Sequence, residues 1–385
     1  MPLFYSIMKK KICFVVATPL GANSFLKDHI IALNNDYDVY LATNVHSVGD
    51  PSLLKVVDVF HFDLLRNISI RDDIKAVWQL YRFFKRMNFD AVHSVTPKAG
   101  FVTALAARLA GIPHRIHIFT GQVWATRKGP MRCLLKSIDK ITASLDNHIL
   151  VDGESQRQFI IKNHIVNAEK SRVLGSGSIC GVNTERFNPS FEVRKQIRKH
   201  YNFDESKVVF AFMGRMNKEK GIFELFEAFN HIASSHSQAV LACWGRDEGN
   251  CLSVLSKFNS IEEGKNFFFY GYSSKPGIDL QAIDVFVMPS YREGFGSSVI
   301  EASCLGIPVI CSNAYGIMDA MIDGQTGLRC KVADVPSLQL AMESLLLDSD
   351  LRNQLGENGR KMVLDKFKGD AVTLEWVKYY NELLN

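Results

Sequence analysis

Short apolar runs alternate with longer amphipathic stretches along the whole chain. In the first half, the runs are rich in β-branched residues and bounded by turn residues, which predicts strands at 12–17, 39–42, 91–95, 115–119 and 148–151. Apolar positions at a helical period fill the gaps and predict helices at 24–33, 70–87, 100–110, 128–143 and 155–162. This alternation is typical of a parallel sheet with helices on both faces.

The second half repeats the alternation. It predicts strands at 208–213, 239–243, 266–270, 285–288 and 308–311, and helices at 222–233, 249–258, 297–305 and 337–346. Between the halves, the Gly and Ser residues of 175–178 and the run at 188–190 predict a loop and a hinge. We therefore expect an α/β protein of two Rossmann-like domains, 1–183 and 184–370, whose parallel sheets face each other across a cleft. Ligands of such sheets bind beyond the carboxyl ends of the strands.

Composition supports a soluble protein of two domains. The 385 residues are 47% hydrophobic and 22% charged, which excludes a disordered chain, a collagen and a coiled coil. The least charged stretch, 12–26, includes Pro19 and Gly21 and is too short to span a membrane. The chain has no convincing signal peptide, and both Met1 and Met8 remain candidate starts. The eight cysteines form no CxxC pair, which favours buried thiols in a reducing cytosol over disulfides or a zinc site.

Charge is distributed unevenly along the chain. Residues 1–190 hold 24 Lys and Arg against 15 Asp and Glu, whereas residues 191–385 hold 21 against 25. A basic half points to phosphates, anionic lipid or nucleic acid as partners, although an ordinary solvated surface explains the same excess. Because the sequence has no motif that reads nucleic acid, we do not expect a nucleic-acid partner.

The first candidate site is the loop 214–221 (GRMNKEKG), which follows a predicted strand and precedes a predicted helix. Gly214 allows close approach to the backbone, and the loop carries Arg215 and Lys220. Two cations at the carboxyl end of a strand suit a diphosphate, since Arg binds as a fork and Lys as a point charge. The alternative is a solvated basic loop.

The second candidate site is 289–301 (PSYREGFGSSVIE), which also joins a strand to a helix. We expect Ser297 or Ser298 to cap the helix, whose free backbone N–H groups form an anion site. The carboxylates of Glu293 and Glu301 suit vicinal sugar hydroxyls. The alternatives are a surface charge for Glu293 and a partner of the helix dipole for Glu301. Together the two loops describe a site for a nucleotide sugar.

The two loops resemble glycosyltransferase family 4, whose members have the GT-B fold. The resemblance rests on 214–221, on Glu293-x7-Glu301, and on 175–187 (GSGSICGVNTERF), 306–312 (GIPVICS) and 323–328 (DGQTGL). It covers about 9–383 and is strongest over 150–330. The fold implies that the C-terminal helix, at 371–385, crosses back to the first domain.

The resemblance also implies roles for individual residues. Arg215 and Lys220 would bind the donor diphosphate and stabilise it as the leaving group. Glu301 would hold the ribose, and Glu293 would contact the transferred sugar near its anomeric centre. The remaining donor contacts would be Gly21, Gly214, Tyr272, Gly294, Phe295, Gly296, Ser297 and Ser298. The family retains anomeric configuration and usually needs no metal, which agrees with the lack of a DxD-type cluster in this sequence, so we expect no metal and no other cofactor.

The segment 93–100 (HSVTPKAG) resembles a subgroup that acts on polyprenyl-diphosphate-linked sugars. Thr96 suits the N-cap of the following helix, and Lys98 is a cation in its first turn, where the dipole disfavours it unless an anionic ligand is present. Thr96, Lys98 and Thr120 are candidate acceptor contacts, with an exposed lysine as the alternative for Lys98. His93 is either an acceptor contact or a core histidine. Thr120 stands where many relatives have a histidine, so a catalytic role there is in doubt. Gln122 and Trp124 would shape the sugar pocket instead, or Trp124 is core.

Basic and aromatic residues share the predicted helices 70–87 and 128–143. Such faces attract anionic lipid headgroups, at about 1 kcal/mol for each cation near the surface. An ordinary amphipathic helix explains part of the same pattern. Arg66 and the cations within 70–86 and 127–140 lead us to expect a cytoplasmic protein at the inner face of the membrane.

We therefore expect a retaining glycosyltransferase that moves a sugar from a nucleotide-diphosphate donor to a polyprenyl-diphosphate-linked saccharide in surface glycan or O-antigen synthesis. UDP-N-acetylhexosamine is the preferred donor on the subgroup resemblance alone. The rivals are a non-hydrolysing UDP-sugar epimerase of the same fold and a catalytically silent binder of sugar nucleotides. A nicotinamide dehydrogenase is disfavoured, because the first strand is followed by Gly21 without a GxGxxG motif.

Overall fold

The computed structural model describes residues 9–46, 53–64 and 69–385. The chain forms two compact units, Met1–Cys180 with Asp370–Asn385, and Gly181–Gly369. These limits lie a few residues from the domain boundaries expected at 183 and 371. The choice between Met1 and Met8, and the expected role of Arg66, fall outside the described residues.

The first unit is built on a parallel sheet in the order β3-β2-β1-β4-β5-β6-β7. Its described strands are β1 (Lys11–Val15), β2 (Asp38–Thr43), β3 (Asp58–His61), β4 (Ala91–Val95), β5 (His114–Phe119), β6 (His148–Val151) and β7 (Ser171–Arg172). Its helices are α1 (Pro19–Phe25), α2 (Lys27–Leu33), α3 (Ile70–Met87), α4 (Pro97–Ala110), α5 (Gly129–Leu145) and α6 (Glu154–Lys162). β1 and β4 are neighbours in this sheet. The chain continues from β1 to β2 on one side of the pair and from β4 to β5 on the other.

The second unit has a parallel sheet in the order β10-β9-β8-β11-β12-β13. The strands are β8 (Val208–Met213), β9 (Ala239–Trp244), β10 (Phe267–Phe269), β11 (Val285–Met288), β12 (Val309–Ser312) and β13 (Gly327–Cys330). The helices are α7 (Phe191–His200), α8 (Ile222–Ser235), α9 (Pro276–Asp279), α10 (Ser297–Cys304), α11 (Val335–Leu347) and α12 (Ser349–Lys366). Strands β8, β9, β11 and β12 are almost wholly buried, as expected where helices cover both faces of a sheet.

The last helix, α13 (Gly369–Leu384), packs into the core of the first unit. The ring of Trp376 stacks between His29, at 4.5 Å, and His93, at 5.0 Å. His29 contacts the helix again, because its Nδ1 lies 2.9 Å from the hydroxyl of Thr373. Aromatic stacking and these buried hydrogen bonds hold the end of the chain against β1 and β4.

Local structure departs from the expected elements in a few places. The helix expected over 24–33 is divided into α1 and α2 at Leu26. The helix expected over 249–258 is a 3-10 helix at Cys251–Lys257, whose start is fixed by Asp247 accepting from the Cys251 N–H at 2.7 Å. The two-residue β7 and the weakly apolar β13 were not predicted, because neither has a hydrophobic run of its own. Within 9–46, 53–64 and 69–385, no helix has both the length and the apolar character of a membrane span.

Candidate functional site

Both candidate loops of the second unit lie at one point of its sheet. β8 pairs directly with β11, while β8 connects onward to β9 on one side and β11 connects onward to β12 on the other. The loop after β8 is 214–221 and the loop after β11 begins at Pro289. At such a switch point two loops leave a sheet in opposite directions, and the crevice between them is where ligands of open α/β sheets bind.

Lys220 and Glu293 meet in this crevice. The Lys220 Nζ lies 2.5 Å from Glu293 Oε1, and the Ser290 hydroxyl donates to the same oxygen at 2.8 Å. The two side chains are only 19% and 13% exposed. Gly221 allows this approach, because it has φ +71° and a Cβ there would collide with the Pro289 carbonyl oxygen. The ammonium and the carboxylate are therefore held together between the two loops.

Additional contacts fasten the two loops to each other, through residues that the sequence did not single out. The Tyr291 N–H donates to the Glu219 carbonyl at 2.8 Å, and Arg292 Nη2 lies 2.6 Å from Glu219 Oε2. The Tyr291 hydroxyl donates to Glu224 Oε1 at 2.5 Å. Burial and the Glu224 carboxylate raise the pKa of Tyr291 to about 12. Only the spatial pairing of β8 with β11 brings these side chains within reach.

Arg215 faces a different carboxylate. Its Nη1 lies 3.1 Å from Glu248 Oε2, on the loop that follows β9, and the Arg215 side chain is 51% exposed. Gly245 has φ +138°, and a Cβ there would overlap the Gly214 carbonyl oxygen, so the two backbones are in direct contact. Arg215 is thus presented on a firmly packed backbone while its guanidinium stays accessible. Glu248 was not predicted as a partner.

The start of α10 is formed by backbone rather than by a serine. Gly296, with φ +94°, occupies the N-cap position and no side chain caps the helix, so the expectation that Ser297 or Ser298 caps it is wrong. A residue at positive φ can turn the chain into the helix without a side-chain acceptor, and the first-turn N–H groups stay available to an anion. Gly316 packs directly against the Glu293 and Gly294 carbonyls. The Phe295 side chain is buried against Phe367, so only the backbone of Phe295 is offered to a ligand.

Glu301 lies in the second turn of α10. Burial raises the pKa of Glu301 to about 7, and Arg186 partly offsets this shift. None of the described residues donates a hydrogen bond to its carboxylate. Glu301 is half-buried, and its carboxylate oxygens can accept hydrogen bonds from the vicinal hydroxyls of a sugar.

Tyr272 follows β10 and is 66% exposed. The guanidinium of Arg246 lies 5.9 Å from the centre of its ring. Together they form an exposed aromatic and cationic surface beside the loop that carries Glu248.

Comparison with known proteins identifies the family. Residues 193–362 match the model for glycosyl transferases group 1, and residues 31–177 match the model for a glycosyl transferase 4-like domain. The chain is 31% identical, over 83% of each sequence, to the capsular polysaccharide biosynthesis glycosyltransferase CapM of Staphylococcus aureus.

The chain belongs to the glycosyltransferases of group 1, with the GT-B fold. The glycosyltransferase is 26% identical to a UDP-Gal:alpha-D-GlcNAc-diphosphoundecaprenol alpha-1,3-galactosyltransferase of Escherichia coli, over 79% of this chain and 78% of the relative. It is 25% identical to an N,N'-diacetylbacillosaminyl-diphospho-undecaprenol alpha-1,3-N-acetylgalactosaminyltransferase of Campylobacter jejuni, over 81% and 82%. The sucrose-phosphate synthase of Thermosynechococcus elongatus shares the fold, with a TM-score of 0.82 at 20% identity over 97% of this chain and 99% of that one. The expected family and fold are confirmed.

In the first unit of the glycosyltransferase, His93 is a core residue. It has no exposed surface, and its Nδ1 lies 2.8 Å from the Tyr380 hydroxyl. Burial holds the pKa of His93 well below its ordinary value. The expected contact between His93 and an acceptor is therefore corrected, because the stacked Trp376 and the rest of the core separate the ring from solvent.

Thr96 and Lys98 lie where β4 passes into α4. Thr96 has φ +77° and its side chain makes no capping hydrogen bond to the helix, contrary to expectation. Its Oγ1 is buried and has no hydrogen-bond partner among the described residues. Lys98 Nζ lies 2.7 Å from Asp73 Oδ1 on α3. Asp73 thus offsets the cation that the helix dipole disfavours.

The remaining candidates of the first unit have distinct surroundings. Gly21 lies in the first turn of α1, and its N–H donates to the Thr18 hydroxyl at 3.2 Å. Thr120 is partly exposed at the end of β5. Trp124 is buried and its Nε1 donates to Asp139 at 2.7 Å, so it belongs to the core rather than to a sugar pocket. Burial raises the pKa of Asp139 to about 7.

Proposed function

We propose that this glycosyltransferase transfers a sugar, with retention of configuration, from a UDP donor to a polyprenyl-diphosphate-linked saccharide in surface glycan synthesis. The observation that carries the proposal is the convergence of Lys220, Glu293 and the uncapped start of α10 at the switch point between β8 and β11. A cation and free N–H groups match a diphosphate, and a carboxylate beside them matches the hydroxyls of the attached sugar.

In the proposed reaction, the bond between the sugar C1 and the β-phosphate oxygen breaks while the acceptor oxygen attacks C1 from the same face. The acceptor hydroxyl passes its proton to the departing phosphate, so no separate base is required. Arg215 and Lys220 neutralise the charge that develops on the diphosphate. Glu293 orients the sugar, and Glu301 accepts hydrogen bonds from the ribose. We propose that these cations take the role that a divalent metal has in other enzymes.

The identity of the donor is the finest part of the proposal. N-acetylhexosamine is preferred, since the Campylobacter jejuni relative is named as an N-acetylgalactosaminyltransferase. The Escherichia coli relative is named for galactose and UDP. Both names include a diphosphoundecaprenol acceptor, which supports the lipid-linked acceptor for this chain. On this chain, Lys98 at the start of α4 is the candidate contact for the acceptor diphosphate, because its side chain is 22% exposed whereas the Thr96 hydroxyl is buried.

We also propose that the first unit binds the inner face of the cytoplasmic membrane. α3 presents Ile70, Ile74 and Trp78 to solvent, while its opposite face, including Phe84, is buried in the core. α5 presents Met131, Leu134 and Ile141. Exposed cations accompany both helices, namely Arg71, Lys75, Arg82, Lys85, Arg86, Lys128 and Lys140. Apolar side chains ringed by cations suit a surface of anionic headgroups.

A panel assay tests the function. The purified protein is incubated in detergent, without metal, with UDP-, GDP- and dTDP-sugars, with and without a polyprenyl-diphosphate saccharide, and nucleotide release is followed. Nucleotide release that depends on the acceptor supports the proposal, and the donor that reacts identifies the transferred sugar. Conversion of the donor without acceptor favours the epimerase, and saturable donor binding without turnover favours a silent binder. Arg215→Ala or Lys220→Ala should abolish transfer in a protein that keeps its circular dichroism.

A further inference from the structure

An apolar groove lies on the surface of the first unit between α3 and α4. It is lined by Ile74, Val77, Trp78 and Tyr81 of α3 and by Leu109 of α4, and its volume is about 310 Å³. Ligand sites range over roughly 300–1,000 Å³, so the groove can take a small ligand or a segment of a long one. Trp78 and Leu109 are 59% and 63% exposed, which leaves a large apolar surface facing water.

Only part of the groove helps to anchor α3 in the fold, because Val77 and Tyr81 pack against the core whereas Ile74, Trp78 and Leu109 are exposed. The buried face of the helix, which includes Ala76, Leu80 and Phe83, already packs in the core. Trp78 and Tyr81 stack on each other at 5.4 Å on the outer side. Large side chains kept exposed next to a concave surface indicate a binding site rather than a structural requirement.

One end of the groove adjoins the candidate site for the acceptor diphosphate. Ile74 follows Asp73, whose carboxylate holds Lys98 at 2.7 Å. Both α3 and α4 start on the side of the sheet where the carboxyl ends of β3 and β4 lie. From Ile74 to Tyr81 the groove extends about 10 Å along α3, away from Lys98.

We propose that this groove binds the isoprene units next to the diphosphate of the acceptor. The inference rests on the proposed function, since it assigns a place to the lipid of the same acceptor. An isoprenoid is apolar and methyl-branched, so its transfer from water into a groove of aromatic and aliphatic walls is favourable, and its transfer from the apolar interior of a bilayer costs little. The anionic diphosphate at its head then lies next to Lys98, where it competes with Asp73 for the ammonium. Lys75, near the same end of α3, pairs with Asp63 at 2.7 Å. A flat bilayer surface would instead contact protruding side chains such as Ile70, and would leave a concave groove poorly filled.

Tryptophan fluorescence tests the groove without any transfer reaction. Trp124, Trp244 and Trp376 are each 1% exposed, so a shift caused by a ligand at the surface reports on Trp78. The probe is farnesyl diphosphate, in detergent-free buffer and below its aggregation range. We expect a saturable blue shift of the emission, no shift with inorganic diphosphate, and loss of the shift in Trp78→Phe. Absence of a saturable shift with farnesyl diphosphate would overturn the proposal.

A matched pair of variants separates the groove from a general membrane surface. Leu109→Asp places a carboxylate in the groove, on the wall formed by α4. Leu134→Asp is the control, because Leu134 lies on α5 outside the groove and is 49% exposed. We expect Leu109→Asp to weaken farnesyl diphosphate binding by about tenfold or more, and Leu134→Asp to leave it unchanged. Leu109→Ala repeats the test with a smaller change should Leu109→Asp fold poorly.

The outcomes separate this inference from the proposed function. If both Asp variants weaken binding to anionic vesicles equally and neither changes binding of farnesyl diphosphate, the surface serves the bilayer alone and the groove proposal is wrong. If the panel assay shows transfer to polyprenyl acceptors and Leu109→Asp leaves the KM for the acceptor unchanged, the function stands and the groove proposal fails. If farnesyl diphosphate binds as expected but no acceptor-dependent transfer occurs, the groove stands and the proposed function fails.

Discussion

Removing the charge of Glu293 should affect donor binding and turnover in opposite directions. In the free protein the Glu293 carboxylate forms an ion pair with the Lys220 ammonium at 2.5 Å. A donor diphosphate must therefore compete with Glu293 for this ammonium. Glu293→Gln keeps an oxygen that accepts from Lys220 and from Ser290, but it removes the negative charge. The nucleotide should then bind more easily, while the sugar loses the group that orients it.

The magnitudes follow from the surroundings of the pair. A hydrogen bond to a charged group contributes about 1.5–3 kcal/mol, and the diphosphate replaces the lost partner only in part, so relief of the competition should be worth about 1 kcal/mol. That corresponds to about a fivefold lower Kd for UDP. Loss of a group that acts mainly in the transition state should lower kcat by about 10²–10³-fold. Lys220→Ala should weaken UDP binding and also lower turnover.

Isothermal titration with UDP and initial rates with saturating acceptor measure the two effects. The matched control is Glu219→Gln, because Glu219 lies next to Lys220 in sequence but pairs with Arg292, at 2.6 Å. This control should leave the Kd for UDP within about twofold. Weaker UDP binding in Glu293→Gln, similar to that of Lys220→Ala, would refute the idea that the carboxylate competes with the diphosphate.

Three further predictions follow from the packing and from the buried groups. In Gly221→Ala the new Cβ would collide with the Pro289 carbonyl, so this variant should lower the melting temperature clearly more than Gly264→Ala. Gly264 is the control because it has a similar φ of +79° but no atom within 4 Å of a built Cβ. Equal shifts in melting temperature would contradict the close approach at Gly221. Burial lowers the pKa of His29 from 6.5 to about 4. As the pH falls, the His29 ring is protonated in the unfolded chain at a higher pH than in the folded protein. About 3 kcal/mol of the free energy of unfolding should therefore be lost between pH 6.5 and pH 4. Urea denaturation across that range should show a weaker pH dependence for His29→Gln than for the parent, and equal dependence would exclude His29 as the cause. EDTA should leave acceptor-dependent turnover within about twofold, and loss of activity restored by Mg²⁺ would disprove a metal-free reaction.

The sequence pattern predicted most of the elements that position the site. The bounds expected for β8, β11 and α3 are those observed. These segments have their own hydrophobic period, which is a local property. α12 was not predicted, because it is largely polar and its packing depends on Gly356, where a Cβ would meet the backbone of Gly306.

For the candidate site, the sequence identified the residue types and the loops but not their partners. Glycines and charged residues directly after apolar runs indicate a candidate site, and this pattern identified Gly214, Arg215, Lys220 and Glu293. The sequence did not indicate that Glu248 pairs with Arg215. It also left His93 open between an acceptor contact and the core, and burial beside Tyr380 decides for the core.

The alternation of strands and helices, the division into two halves and the charged loops after β8 and β11 follow from local sequence, because periodicity and turn chemistry act over a few neighbouring residues. Which loops meet depends on how the whole chain packs. Lys220 and Glu293 are 73 residues apart, and His29 and Thr373 are 344 apart. Their contacts depend on which strands pair and on where the last helix packs. Such contacts arise from burial of the whole core, which no single segment encodes.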